Sequence, residues 1–582
     1  MESGRSIGRK HIQNTTNSAI PKRFAIRRFD RFWYVVCCHF ARADEKSPDM
    51  LNSSVHRKMN GAWPHGLLLY VAALFNAISS LAQMPRCEWA VQAHGHGGLN
   101  DFAWAVAANT NGDIYLGGSF SSTTISFDNC TLKKLGDGWP MYLVKYDRSG
   151  HVLWARQSGA QSSAAVTACA TLSDGGVLAV GGFATNFILE GHALTNIGQG
   201  NTFLARFSPA GELIWLKSCG GSALDFANGI GTDTNDNSYI VGRLGSTNAI
   251  FGPFTLSNSQ SNGSDAFFAK YDCNGNVLWA RAIQGINAMA TVRIATDPSG
   301  SSYVTGSIDD TCDLGDNVVL TNSSRDCLHA FVARFDPAGK ALWATDIQGA
   351  GWTIDRAVAI DPQDGCFIAG KCGGSNISVG SRSVNCEHTP GAFAAKFDST
   401  GGLRWLVGLP LEQGFTPHSL AVDEKSRCYI GFDSVFLIAR LRADGTLDWT
   451  NVVTDGHIRN LGDIVVSPVS GGRLLLAGNF YPKSVRHPEC RLFDNIVLTN
   501  TNSGPDIFLA QFPTEEWYPP VKPVDPFKLQ AIFLSARPSA LIGGKTLFVG
   551  DQIANFHVNS IKADAVTLQS PAGQIKILAL GK

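Results

Sequence analysis

Charge is scarce in this sequence. Asp, Glu, Lys and Arg supply 16% of 582 residues, and the formal net charge is zero. A disordered chain needs high charge and few apolar groups, and 44% hydrophobic residues exclude that class. A basic footprint is missing as well. Residues 1–58 hold 12 Lys and Arg against 5 Asp and Glu, which leaves 36 basic and 43 acidic side chains for the rest. No nucleic-acid partner is therefore expected. No GxSxG elbow, HExxH or GxxxxGK[ST] occurs. The cysteines never fall at CxxC spacing, which argues against zinc. No stretch has helical period and length. No catalytic residue, cofactor-binding residue or metal ligand is assigned.

Glycine is abundant, at 61 residues, and so is phenylalanine, at 33. That balance suits a β protein turned by glycine. At 582 residues the chain is too long for one ordinary domain, so repeats are expected. They are found by aligning on Trp89, Trp154, Trp215, Trp279, Trp343, Trp405 and Trp449, whose successive gaps are 65, 61, 64, 64, 62 and 44 residues. Each unit spells an alanine-rich phrase such as "AWAVAANTNGD", then one like "IYLGGSF" or "SYVTGSI", then one like "TFLARFS" or "AFFAKYD". These phrases run five to seven residues between Gly, Pro, Asn or Asp and read as strands. In "TFLARF", Phe203, Ala205 and Phe207 are expected on one face and Arg206 on the other.

The short sixth unit keeps four phrases and omits an insertion such as "ISFDNCTLKKLGDGW". Four strands per unit are obligatory on this reading, and the insertion is a decoration. The predicted fold is all-β, a seven-bladed β-propeller of four-stranded antiparallel blades over residues 87–512, because radial repetition hides strand edges. The first unit contributes a lone tryptophan strand, Cys87 to Gln92, and the last lacks one. The N-terminal strand is therefore expected to complete the last blade, with a Cys87–Cys490 disulfide to be tested there.

The turn before each tryptophan has Asp at its first position in four copies: Asp147, Asp272, Asp336 and Asp398. Ser208 substitutes in one copy and Arg442 breaks the rule. Gly150, Gly211, Gly275, Gly339, Gly401 and Gly445 fill the fourth position, which is turn chemistry. A buried indole removes about 150–250 Å² from water. The tryptophans and glycines are read as a structural joint between neighbouring blades.

The motif "D-x-x-G-x-x-x-W-A" with "Y-x-x-G" and "F-x-A-K-Y-D" resembles the bacterial SBBP (seven-bladed β-propeller) repeat family. The resemblance implies an exported or surface-associated protein and brings no shared catalytic residues. Two sharper alternatives exist for the repeated turns. A calcium loop comes nearest at "DTNDNS", residues 233–238. A quinoprotein dehydrogenase has a related tryptophan-docking repeat, but its spacing, threonine and unit count differ. His94 and His96 in "AHGHGG" are read as an inter-blade loop, with a metal pair as the alternative. Asp101, Asp225 and Asp355 recur before the alanine-rich strand, which favours a turn role over one acid/base pair.

The ends have their own signals. "MNGAWPHGLLLYVAALFNAISSLAQ" begins at Met59 and ends in Ser80-Leu81-Ala82, which resembles a secretory signal over residues 59–82. Residues 1–58 are then read as a non-native extension. Export makes disulfides relevant: Cys312/Cys327 and Cys366/Cys372/Cys386 are local enough to pair, while for Cys169 and Cys219 a buried free thiol stands at least level with a bridge. Residues 513–528 read as a Pro-rich linker and 529–582 as a small β domain. The run through Ala540, Ile542, Gly544, Val549, Gly550, Asp551, Val558, Ile561, Val566 and Leu568 resembles the small periplasmic domain of type II secretion and pilus-assembly proteins. That implies docking to an envelope partner, and any membrane association would come through it. The expected function is an exported, non-catalytic scaffold binding protein or glycan at the bacterial cell envelope. The alternative is a propeller enzyme acting on polysaccharide or a small alcohol.

Overall fold

The computed structural model describes residues 87–514 and 529–579, apart from 98–99, 160–161, 260–262, 287–291, 323–326, 387–389, 412–414, 434–436, 453–457, 470, 482–488, 493–495, 501–503, 534–537, 543–544, 554–555, 564 and 572. The expected extension, the signal peptide and nearly all of the linker lie outside the described residues. The chain divides into two compact units, Met1–Thr514 and Glu515–Lys582. Among the described residues every regular element is a strand.

In the larger unit one four-stranded antiparallel meander recurs. Asp101–Ala108, Ile114–Phe120, Met141–Tyr146 and Val152–Gln157 form the first example, in that order across the sheet. The next is Ala164–Thr171, Val177–Phe183, Asn201–Phe207 and Leu213–Cys219. Further copies start at Phe226–Thr232, Arg293–Thr296, Thr353–Ile360, Thr416–Val422 and Ile458–Ser467. In the copy that starts at Ile458 the third strand, Asp506–Pro513, pairs with Trp89–His96 in the register Trp89↔Gln511 to Ala93↔Ile507. The fourth strand there comes from the opposite end of the unit. First strands lie side by side: Asp101–Ala108 touches both Ala164–Thr171 and Ile458–Ser467, and Thr416–Val422 touches Ile458–Ser467. The arrangement is that of a β-propeller.

Each sheet is covered on both faces, which explains its composition. Phe203, Ala205 and Phe207 pack with Trp154, Tyr115 and Leu143 of the preceding sheet. Leu204 packs the other way, with Ile240 and Phe267 of the following one. The opposite face of "TFLARF" is thus a second core face, and near-continuous apolar runs follow from burial on both sides.

The insertions form hairpins between second and third strands, for example Phe187–Leu189 with His192–Leu194 and Ala249–Phe251 with Phe254–Leu256. They tie neighbouring sheets together. Gly95 pairs with Ile125, Gly220 bridges Ile250, and the Gly159 N–H donates to the Ile188 carbonyl at 2.7 Å.

Cys372 and Cys386 form a disulfide. Cys366 is a buried free thiol. The expected Cys312–Cys327 bond is not made: both are free, and Cys312 is buried in the core beside Ile308 and Leu314. Cys169 and Cys219 are free thiols, Cys219 buried and Cys169 half-buried. Cys87 is also free, and its thiol donates to the Trp89 carbonyl at 3.1 Å, so the proposed bridge to Cys490 is not formed. The side chain of Cys490 lies outside the described residues.

The smaller unit holds a three-stranded sheet, Leu529–Phe533, Ser539–Ile542 and Lys545–Phe548, and a four-stranded one ending in Ala565–Gln569 and Ile575–Ala579. Ala540, Ile542, Val558, Val566 and Leu568 meet in its core. Asp551 accepts the Phe548 N–H at 2.9 Å and Gly550 takes φ +96°, so both serve a turn.

Candidate functional site

The tryptophan turns are built by local chemistry. Asp147 Oδ1 accepts the N–H groups of Ser149 and His151 at 2.8 and 3.0 Å, and the Gly150 N–H returns to the Asp147 carbonyl at 3.0 Å. Asp272, Asp336 and Asp398 repeat the pattern. Gly150, Gly211, Gly275, Gly339, Gly401 and Gly445 all take φ between 78° and 90°, a region costly for any residue with a Cβ.

Each of these glycines lies beneath a tryptophan of the preceding sheet. A Cβ on Gly211 would stand 2.7 Å from the ring of Trp154. The same relation joins Gly150 to Trp89, Gly275 to Trp215, Gly339 to Trp279, Gly401 to Trp343 and Gly445 to Trp405. The indole nitrogens of Trp154, Trp215, Trp279, Trp343 and Trp405 donate to the carbonyls of Pro209, Cys273, Pro337, Ser399 and Ala443, all within 3.3 Å. Sequence reasoning missed a second donor. Lys145, Arg206, Lys270 and Arg334 reach the first four of those carbonyls. The available signal was the Lys or Arg recurring in "AKYD" and "ARFD", whose partner is a backbone atom on the next sheet. Trp449 meets no such turn among the described residues. Its indole nitrogen is buried without a partner, Arg440 lies 5.2 Å over the ring, and Arg440 and Tyr429 donate to the Thr514 carbonyl.

The other sequence candidates are held in different ways. Asp101 accepts from Ser121 N, Ser122 N and Ser122 Oγ, and Asp225 from Gly245 N, Ser246 N, Ser246 Oγ and Gly221 N. Both carboxylates are buried loop anchors, and burial pushes Asp101 upward. The side chain of Asp355 lies outside the described residues. Asp233 uses its oxygens for Asn235 N, Asn237 N, Asn237 Nδ2 and Tyr239 OH, which makes the "DTNDNS" turn an internally bonded one. His94 and His96 end the strand Trp89–His96 rather than occupying a loop. His94 Nδ1 lies 3.6 Å from Asp506.

The centre of the larger unit carries a feature absent from the sequence reading. First strands contain β-bulges at Trp104, Thr167, Asn228, Arg356, His418 and Gly462, each an extra residue opposite an unbroken partner. Bulges redirect a side chain without disturbing the rest of the ladder. A cavity of about 150 Å³ lies among these strands, lined by Trp104, Thr167, Asn228, Arg293, His418 and Asp463, among others. Asp463 is its one carboxylate among the described residues. Oδ1 accepts from Ser419 Oγ at 2.5 Å and Ile464 N at 2.9 Å, and Oδ2 from Val106 N at 3.3 Å. Burial pushes its pKa up, opposed by the Ser419 and Val106 bonds and by the charges of Arg293 and His418. Arg293 Nη1 donates to the Asn228 carbonyl at 2.9 Å, and Thr167 Oγ1 to the Ala227 carbonyl at 2.7 Å. Trp104 Nε1 is buried without an acceptor. Cys169 also lines the cavity, its thiol pKa raised by burial and then by Asp463.

No family model matches the chain. It is similar to a WD repeat-containing protein of Acanthamoeba polyphaga mimivirus, 23% identical over 226 residues, covering 34% of this chain and 16% of that protein. It is also similar to the regulatory protein FlaEY of Caulobacter vibrioides, 30% identical over 138 residues, covering 23% of this chain and 14% of FlaEY. The chain thus spans only a small part of each curated relative. Among solved structures, a streptogramin B lyase aligns with TM-score 0.39 at 10% identity, covering 73% of this chain and 97% of the lyase. Sqt1 from Chaetomium thermophilum aligns with TM-score 0.36 at 12% identity, covering 68% and 97% respectively.

Proposed function

We propose that the chain is an exported, seven-bladed propeller, closed by its N-terminal strand, that binds protein or glycan at the cell envelope without catalysing a reaction. The observation that carries the binding reading is the central cavity, ringed by bulge residues that differ from sheet to sheet. A packed scaffold gains nothing by projecting Trp104, Thr167, Asn228 and His418 inward, whereas a recognition site needs such variety. The state of Asp463 favours binding over turnover. Its oxygens already serve the fold, and acid/base catalysis requires groups in contrasting environments with access to a substrate. Closure is supported by the pairing of Trp89–His96 with Asp506–Pro513 and by one core shared between Leu116, Leu475 and Leu509. The small β unit supplies a second, tethering contact to the same envelope.

Asn228→Trp fills the cavity from a bulge, where added bulk leaves the strand ladder in place. Retention of the purified chain on insoluble envelope material is expected to fall at least tenfold in this variant, with an unchanged melting temperature. Equal retention of the two chains overturns the reading. A second reading, catalysis on polysaccharide, has the shared cavity of His418 and Asp463 on its side, and product release from that material during the same incubation would establish it.

A further inference from the structure

The smaller unit has a sheet edge that is uncovered among the described residues. Ile575–Ala579 pairs on one side with Ala565–Gln569, in the register Ala565↔Ala579 to Gln569↔Ile575, and is the last strand of its four-stranded sheet. Alternation along the strand sends Leu578 into the core and places Ile575, Ile577 and Ala579 on the opposite face. Ile575 and Ile577 are 61% and 68% exposed, the two highest values among the large hydrophobic side chains of the described residues. The outer strands of the larger unit expose one such side chain each, Leu153, Ile214, Leu278 or Leu342, and isolated exposure of that kind is ordinary. Two isoleucines on one face of an open edge are not ordinary, because an edge of this kind recruits further strands unless charge, proline or a bulge guards it. This face has none of the three. The strand contains no proline, its register with Ala565–Gln569 is unbroken, and its one charged residue, Lys576, alternates onto the face that carries Leu578.

Charge and length decide what the edge accepts. An antiparallel copy of the same strand, centred on Ile577, puts Ile577 opposite Ile577, Ile575 opposite Ala579 and Lys576 opposite Leu578. Each lysine then meets an aliphatic side chain, and the like-charge pair that would oppose self-pairing is avoided. The exposed isoleucines of both copies form one row. A two-fold axis through Ile577 also closes the contact, so that it stops at two chains.

We infer that Ile575–Ala579 is a self-pairing strand, and that its partner is the same strand of a second copy of this chain. A five-residue ladder falls short of the roughly 1,200 Å² of a stable complex, so the pairing is weak in solution, with a Kd on the order of 0.1 mM. Two chains held on one surface reach effective concentrations of about 1 mM, at which the same contact is largely formed and two larger units act together.

Sedimentation equilibrium of the full chain tests this. The parent chain is expected to show a reversible monomer–dimer equilibrium. Ile577→Lys and Ile577→Glu change an exposed side chain and are each expected to weaken association by roughly tenfold or more with an unchanged melting temperature, because like charges then meet at the two-fold axis. An equimolar mixture of the two variants is expected to regain dimer, since opposite charges then face each other. A parent chain that stays monomeric up to about 1 mM, variants that associate as the parent does, or a mixture no better than either variant alone overturns the inference.

Discussion

The indole nitrogen of Trp154 donates to the carbonyl of Pro209 on the next sheet, 3.0 Å away, while the Trp154 ring covers Gly211 two residues further on. One side chain thus ties its own strand to both the shape and the polarity of its neighbour's turn. Gly211→Ala is expected to cost two penalties, left-handed strain of about 1–2 kcal/mol and displacement of the ring. Gly191→Ala isolates the first, because Gly191 has φ +80° with nothing within 4 Å of the added Cβ. Chemical denaturation should place Gly211→Ala below Gly191→Ala by about 1–3 kcal/mol, the scale of overpacking. Equal losses would mean that the ring contact is dispensable.

Tryptophans at the two kinds of junction should respond differently to loss of the indole N–H. Trp154→Phe removes a bond to Pro209 and is expected to cost about 1–2 kcal/mol. Trp449→Phe removes a buried N–H that has no partner, so its packing loss is offset and the variant should be at least about 1 kcal/mol less destabilised. Thermal melts of the pair decide the matter, and identical shifts would refute it.

Stability should depend on pH with opposite sign at two aspartates. Burial raises the folded-state pKa of Asp463, so the folded chain holds its proton more tightly than the unfolded one. The resulting penalty is absent below the unfolded value near 3.9 and grows to its full size as pH rises through the folded value. Asp463→Asn is therefore expected to raise the melting temperature at pH 8, with the gain fading toward pH 4. Asp398 is held low, first by the Thr400 hydroxyl and then by the Gly402 and Thr400 N–H groups. Its contribution is present above the unfolded value and is lost as pH falls through the folded one. Asp398→Ala should hence destabilise at pH 8 and cost progressively less in acid.

The strand Trp89–His96 covers the edge of Asp506–Pro513. A chain lacking residues 87–96 exposes that ladder and part of the core around Leu475 and Ile507, and an open edge invites pairing with other chains. The expected result is a stability loss above about 3 kcal/mol and concentration-dependent oligomers in light scattering. A peptide of residues 87–96 should restore the monomer. A truncated chain that melts like the parent would count against closure by this strand.

The parts of the fold that were readable from sequence are those with a local cause. Asp272, Gly275 and Trp279 lie within eight positions, and each meets a need of the same hairpin, so their spacing announces it. Four strands per unit followed from the short sixth copy for the same reason. The role of Arg206 was not legible because its partner is the Cys273 carbonyl, a main-chain atom that leaves no mark on residue identity. Cys312 and Cys327 stayed apart although close in sequence, because the strand Ser302–Asp313 turns Cys312 into the core. The cavity residues were invisible to an alignment of repeats. Trp104, Thr167, Asn228 and His418 occupy one structural position but share no chemistry, and a search for what recurs passes over what differs.

The bulges give this molecule two independent registers. Substitutions in the ladder or beneath an indole must satisfy a neighbouring turn, whereas Trp104, Asn228 and His418 at the bulges face the cavity among the first strands. The lining of the cavity can therefore change one sheet at a time while the tryptophan joints stay the same, and new chemistry at the centre requires no new fold.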